Sequence, residues 1–378
     1  MMISTKRKRS WAKLLFVAIL GMSLTGCWDN RPVDSRALVF TLGIEPSPKQ
    51  NEFRMIFQFP TPPAMAKYSK GSGGSSQTPP VADIVGQGKS VAQCFNAAQS
   101  QVSRDLYLGQ IQLIAISTQL SAPLLTRVLY SLDRIGTLDQ TPFLFATSQP
   151  LEKVMSVNTD QEDFPTLYYT TLFACQRCQT DALGVRLWQF AANAATPGVD
   201  PYLPQVTVKT KTDEIDVDRI ALYQHLRYVG TLDANQTMTF GILKGLAHKV
   251  SLFLPREEAT LRAIHGPAHL TVTEHNGAVY ATFNIKLHST LEGIKTQTET
   301  EGQLAELSRE GSAILAHRCL ALLQNLQKMD VDPLGVGRKF DWRYPQEFTS
   351  FKHWHQEYPK VHMSVHVELT INKMGDIK

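Results

Sequence analysis

Leu24-Thr25-Gly26-Cys27 ends an apolar run, Leu14 to Leu24, that follows the basic cluster Lys6, Arg7, Lys8, Arg9 and Lys13. The run is roughly ten residues, the length of a signal-peptide core and about half of a membrane span. Residues 1–26 are therefore expected to be a cleaved signal. The small-small-Cys ending fits lipoprotein processing, in which the Cys27 thiol takes a diacylglyceryl group by thioether and becomes the first residue of the mature chain. Two acyl chains of the palmitate kind hold where one is marginal, since each buried methylene adds ~0.8 kcal/mol. Ordinary secretory cleavage, or a free buried Cys27, is the alternative. No later stretch approaches the ~18 unbroken apolar residues of a spanning helix. The remaining 378 − 26 = 352 residues must then bury their apolar surface in layers that face water, tethered at one end.

Charge follows the same division. The formal net charge is +4, and residues 1–26 carry five basic residues and no acid, so the mature chain stands at 4 − 5 = −1. A near-neutral globule lacks the basic footprint of a nucleic-acid binder. Of the five cysteines, Cys94 and Cys319 fall on apolar helix faces. Cys175-Gln176-Arg177-Cys178 is the one chemical-looking pair. With no second CxxC and no His pair at finger spacing, it reads as a local disulfide or two unpaired thiols.

Periodicity divides the mature chain at about residues 205–213. In the first part (27–205), Leu38, Phe40, Leu42 and Ile44 alternate with the residues between them, as do Phe53, Met55, Phe57 and Phe59, which predicts two strands in a hairpin. Residues 60–80 are rich in Pro, Gly and Ser and read as a mobile loop, the first place for proteolysis. Then Ser90-Val91-Ala92-Gln93 forms a capping box for a helix carrying Cys94. Ile111–Ile116 is a strand, a helix enters through Pro123, and Phe143–Ala146 is another strand. This βαβα run implies parallel pairing.

The second part (213–378) has short strands at Arg219–Tyr223 and Leu226–Leu232, and a hairpin around Asn276-Gly277. A long helix carries Leu304, Leu307, Ile314, Leu315, Cys319, Leu322, Leu323 and Leu326 on one face, and a last strand alternates over 361–371. The fold class is α+β or mixed α/β, multi-domain, with mixed sheets and packed helices, the C-terminal domain laying its long helix on an antiparallel or mixed sheet.

Several segments in order resemble the Ger(x)C lipoproteins, the C subunits of nutrient germinant receptors of endospore-forming bacteria. They are Cys27-Trp28-Asp29, Gly43-Ile44, Arg104-Asp105-Leu106-Tyr107-Leu108-Gly109-Gln110-Ile111-Gln112, Ile220-Ala221-Leu222-Tyr223 with Val229-Gly230, and Leu323-Gln324 followed by Asp332-Pro333-Leu334-Gly335-Val336-Gly337, then Pro345, Trp354 and the last strand. The chain departs from the family at Pro32-Val33, Gln110 and Thr231, where Glu-Ile, His and Trp are usual. The resemblance implies three mixed α/β domains, which would split the first part again. It also implies a lipid anchor on the extracytoplasmic face of the spore inner membrane and assembly with polytopic A and B subunits.

Enzyme motifs are lacking: there is no G-x-S-x-G elbow, H-E-x-x-H helix or P-loop. His362 and His366 share a strand face about 13 Å apart, too far to share an ion. His353 and His355, either side of Trp354, read as solvated or structural, and Asp213, Glu214, Asp216 and Asp218 as a solvated strand edge. The expectation is a non-catalytic subunit without metal or cofactor other than the Cys27 lipid and without nucleic-acid partners. Arg104, Asp105 and Tyr107 are the first candidates for a partner interface, against the alternative that Arg104 and Asp105 pair with each other or cap the helix. A lipid-anchored solute-binding protein of a transporter is the competing reading. It predicts a stability shift with amino acids or sugars; the subunit reading predicts none and leaves the nutrient pocket to a polytopic partner.

Overall fold

The hairpin foreseen over residues 38–59 forms, with β1 (Thr41–Pro46) antiparallel to β2 (Phe53–Pro60) and Leu42 opposite Phe57. The structure, a computed structural model, describes residues 35–61, 80–157, 161–175, 183–209, 212, 214–246, 248, 250–293, 301–351 and 353–372. Cys27 with its signal segment, nearly all of the loop expected over 60–80, Cys178 and Asp213 lie outside them. The chain divides into Met1–Ala37, of which residues 35–37 are described, and Leu38–Lys378, which carries everything below.

Nine strands build the first sheet. Beyond the hairpin come β3 (Val81–Gly88), α1 (Val91–Gln99), β4 (Leu113–Ser117), α2 (Ala122–Asp133), β5 (Phe143–Thr147), α3 (Leu151–Met155), α4 (Pro165–Ala174), β6 (Val185–Arg186), α5 (Leu187–Ala195), β7 (Tyr202–Val208), β8 (Ile215–Gln224) and β9 (Arg227–Leu232). The order is β9-β8-β7-β5-β4-β1-β2-β3, with β6 paired to β5. The four central strands, β1, β4, β5 and β7, are parallel, and antiparallel strands extend the sheet at both ends. Every residue of β4 and β5 is buried, as continuous apolar runs in a parallel centre require. Phe145 stacks on Tyr169 of α4 with centroids 5.1 Å apart, in a core that includes Ile56, Leu113, Leu151, Met155 and Val206.

The cap of α1 differs by one residue from the expected box. Ser90 Oγ accepts from Gln93 N at 3.2 Å, but Gln93 Oε1 accepts from Lys89 N at 2.8 Å. Cys94 is fully buried, and burial pushes its thiol up to about 12. Cys319 is likewise buried and pushed up to about 12, so both sulfurs behave as small apolar groups.

The rest of the chain is α6 (Ala234–Leu243), β10 (Val250–Leu254), β11 (Ala259–His265), β12 (Ala268–His275), β13 (Ala278–Gly293), α7 (Glu301–Lys328), α8 (Val336–Arg343), α9 (Pro345–Ser350), α10 (Trp354–Glu357) and β14 (His362–Asn372). A second sheet runs β10-β11-β13-β12, with β14 parallel to β13 and the other pairs antiparallel. Asn276 and Gly277, at φ 53° and 81°, make the tight β12–β13 turn that only such residues allow. The long helix α7 lies on β14, and Ser312 Oγ accepts from Leu369 N at 3.0 Å. Mixed sheets, packed helices and the long C-terminal helix bear out the expected fold class. Among the described residues no helix is long and apolar enough to cross a membrane.

Close approach of β3 to α1 depends on Gly86, where a Cβ would overlap the Cys94 carbonyl. Gly86→Ala should therefore cost about 3 kcal/mol through overpacking. Gly136→Ala, which meets nothing, should stay within about 0.5 kcal/mol of wild type; thermal unfolding of the two variants checks the difference.

Candidate functional site

The segment proposed from sequence as an interface lies between α1 and β4. Gln99, the last residue of α1, ties it down: its Nε2 donates to Arg104 O at 2.9 Å and its Oε1 accepts from Leu106 N at 2.8 Å. Arg104 and Asp105 are exposed, Leu106 is buried and Tyr107 is half-buried. The Arg104 guanidinium makes no ion pair among the described residues, Asp105 included. Leu106 and Tyr107 border an apolar groove of about 530 Å³, with Val91 and Phe95 of α1 on one side and Ile135 beyond α2 on the other. Cys175, at the end of α4, is disulfide-bonded. The acids from Glu214 to Asp218 lie on a solvated edge as read, with Lys209 3.0 Å from Glu214 and 3.4 Å from Asp216. His362 and His366 are exposed, and the His362 ring stacks on Tyr280. Among the described residues no group of three metal-ligating side chains converges.

A second constellation was hardly visible in the sequence. Asp332, in the loop between α7 and α8, is completely buried. Its Oδ1 accepts from Gly335 N and Val336 N at 2.9 and 3.0 Å, and its Oδ2 from Gly337 N at 2.8 Å and Trp354 Nε1 at 3.1 Å. Three of these donors are the orphan amides at the start of α8, which also favour a negative charge through the helix dipole. Burial still pushes the carboxyl up to about 6, with the neighbouring Asp200 charge adding to the rise.

The Asp332 backbone is locked to Asp200 on the approach to β7: Asp332 N donates to Asp200 Oδ2 at 2.7 Å, and Asp200 N to Asp332 O at 2.9 Å. Beside them Arg338 N donates to Gly198 O at 2.7 Å. Gly198, at φ 73°, and Gly337 face each other so closely that a Cβ on either would collide with the other's backbone.

His355 completes the cluster. Its Nε2 lies 3.5 Å from Asp200 Oδ1 and its Nδ1 3.3 Å from Asp330 Oδ1, while Gln224 of β8 donates to Asp330 O at 2.6 Å and to Asp330 Oδ2 at 2.9 Å. The hydrogen bond to Asp200, ahead of the opposing effect of burial, holds the imidazole up at about 9. It is thus a cation at neutral pH. The structural reading of His355 is correct in kind, but it did not foresee the partners. Lys244, just past α6, donates to Pro333 O at 3.3 Å. Burial, then the nearby Arg338, pulls its ammonium down to about 8.

The comparisons with known proteins agree along the whole length. A profile described as the spore germination protein N-terminal domain matches residues 29–208. One described as spore germination B3/GerAC like, C-terminal, matches residues 218–375. Spore germination protein KC of Bacillus subtilis (strain 168) is 22% identical, across 98% of this chain and 96% of that protein. The putative spore germination protein YfkR of the same organism is 20% identical, across 97% and 98%. The crystal structure of the GerBC protein superposes with a TM-score of 0.58 at 14% identity, covering 87% of this chain and 96% of that one, which is a likeness of fold.

Two predictions follow from the cluster. Asp332→Ala strands four buried N–H donors, so it should destabilise by about 3–5 kcal/mol, read as a fall in unfolding midpoint. For His355 the folded value of about 9 exceeds the ordinary histidine value of 6.5, so its stabilisation is complete below pH 6.5 and lost as pH rises to 9, with a ceiling of about 3 kcal/mol. Lys244 acts oppositely, its penalty lifting between about 8 and 10.5. His355→Gln should flatten the decline between pH 6.5 and 8 in a denaturant series; an unchanged slope would mean that His355 carries no charge there. With the two profiles matched over residues 29–208 and 218–375, the protein belongs to the Ger(x)C family of spore germination proteins, the germinant receptor C subunits.

Proposed function

We propose that the chain is a lipid-anchored, non-catalytic subunit of a nutrient germinant receptor. It is held through a diacylglyceryl group on Cys27 at the extracytoplasmic face of the spore inner membrane and is needed there to assemble and signal with polytopic A and B subunits. Family membership over residues 29–208 and 218–375 carries this reading. The lipobox before Cys27 supports the anchor. A subunit of this kind acts through its surfaces, where a few aromatic and Arg anchors usually hold most of the binding energy. The exposed Arg104 and the half-buried Tyr107 beside an apolar groove have that character. We read Cys175 as one half of a local disulfide with Cys178.

Tagged chain purified from spore membranes should bring polytopic partners with it. Cys27→Ala should move the protein from the membrane to the soluble fraction after a high-salt wash; retention would make partner contacts sufficient and the lipid secondary. Arg104→Ala and Tyr107→Ala should reduce partner recovery while leaving the unfolding midpoint within the ~0.5 kcal/mol range of surface changes. Loss of partners only together with loss of stability would reduce the segment to a structural element, and full recovery with both variants would remove it from the interface.

A further inference from the structure

A cavity of about 750 Å³ opens where α4, β6 and α5 meet the start of β7, the residues after α6, and α8. That volume lies within the range that holds a small organic molecule. Among the described residues, the charged side chains on its wall are Arg186, Lys244 and Arg338, with His248 also lining it, and none of the described lining residues is a carboxylate. None of these three cations forms an ion pair among the described residues, although each is half-buried. Arg186 lies over the Phe143 ring with its guanidinium carbon 4.1 Å from the centroid, and its Nη1 donates to Thr141 O at 2.6 Å. Lys244 Nζ stands 5.3 Å from the Tyr202 centroid and gives one hydrogen bond, to Pro333 O, leaving two of its three donors unused. The Tyr202 hydroxyl, on a residue 8% exposed, has no partner among the described residues. Trp188 of α5, also on the wall, is 51% exposed.

Like charges in a partly desolvated site are costly, and here Arg338 is near enough to Lys244 to disfavour its charge, an effect that ranks ahead of the opposing one of Asp332. An anion placed among them would remove that repulsion, and the aromatic walls suit a flat apolar body. We propose that this cavity binds a small organic anion, its acidic group set between Lys244, Arg186 and Arg338 and its planar or apolar body against Trp188 and Tyr202. The cavity shares no lining residue with the groove beside Leu106 and Tyr107, and it differs from a pocket for neutral sugars or for zwitterionic amino acids, whose ammonium group these cations would repel.

The test uses the full chain in detergent, with unfolding midpoint and calorimetric titration as readouts. Phenylacetate and phenyl phosphate supply an anionic group on an aromatic body, phenylacetamide the body without the charge, and inorganic phosphate the charge without the body. Both aromatic anions should raise the midpoint at millimolar concentration, because a ligand that binds only the folded chain stabilises it by mass action; phenylacetamide should not, and inorganic phosphate should do so far less. Lys244→Gln and Arg186→Gln should each weaken phenylacetate about tenfold, the loss of one charged contact. Since Lys244 also touches the Asp332 loop, Arg186→Gln and Trp188→Ala keep the test decisive if Lys244→Gln folds poorly. Equal shifts with phenylacetamide, affinity unchanged in Arg186→Gln, an inorganic phosphate shift as large as that of the aromatic anions, or binding seen only with phosphatidylglycerol vesicles would each overturn the assignment.

Discussion

One buried carboxylate sets the arrangement of the C-terminal third. A charge as enclosed as Asp332 is costly to desolvate, and the cost is tolerable only where hydrogen bonds saturate both oxygens. Three amides of the α8 N-terminus and the Trp354 indole do so. The demand fixes geometry outward from that point. α8 must start at Val336 and point its amides inward, Gly337 must stay bare to let Gly198 and Trp354 approach, and Trp354 must bury its ring. An aromatic group of Phe340, Phe348, Trp354 and Tyr358 then packs around the indole. His355, one residue on, is thereby delivered to Asp200 and Asp330, where its positive charge offsets Asp200, the acid that raises Asp332's proton affinity.

The same cluster joins segments far apart in sequence. Asp200 leads into β7 of the first sheet, Gln224 ends β8, and Asp330 and Asp332 follow the long helix that covers the second sheet. The matched profiles part at residues 208 and 218, yet β8 and β9, from residues 215–232, complete the first sheet. The two matched regions therefore share a sheet and a polar cluster. A disturbance at either side of this junction therefore reaches the other through groups that are packed and hydrogen-bonded.

Legibility followed how local each signal was. The β1–β2 hairpin, the Asn276-Gly277 turn, the parallel β4 and β5 and the stripe along α7 were plain, because alternation, turn chemistry and helical spacing are written within a few residues. The helix α6 was missed although Asp233 and Gln236 cap it reciprocally; it is buried almost all round, through Thr237, Thr239, Phe240, Ile242 and Leu243, and so has no polar face to mark a period. β10 and β11 were missed because both are short, with a register shift between them. The aspartate cluster could be seen only in outline. Asp332-Pro333-Leu334-Gly335-Val336-Gly337 was picked out by resemblance, but nothing local says that Asp200, 132 positions earlier, will meet it. The cation-lined cavity is less legible still, since Arg186, Lys244 and Arg338 come from three separate elements and are unremarkable in their own surroundings.

The cavity and the junction share two residues, and this links their energetics. Lys244 bonds the carbonyl of Pro333, next to Asp332, and Arg338 bonds Gly198 through its backbone while its side chain lines the cavity. Asp332 favours the charged form of Lys244, and Arg338 disfavours it. An anion between the two cations would reverse the second influence and hold Lys244 protonated beside the Asp332 loop. Linkage is reciprocal for binding free energies: whatever stabilises the loop with Lys244 charged must favour the anion by the same factor, and a loosened junction must weaken it. The cluster that holds the two sheets together is thus also the part of the molecule through which occupancy of the cavity is felt.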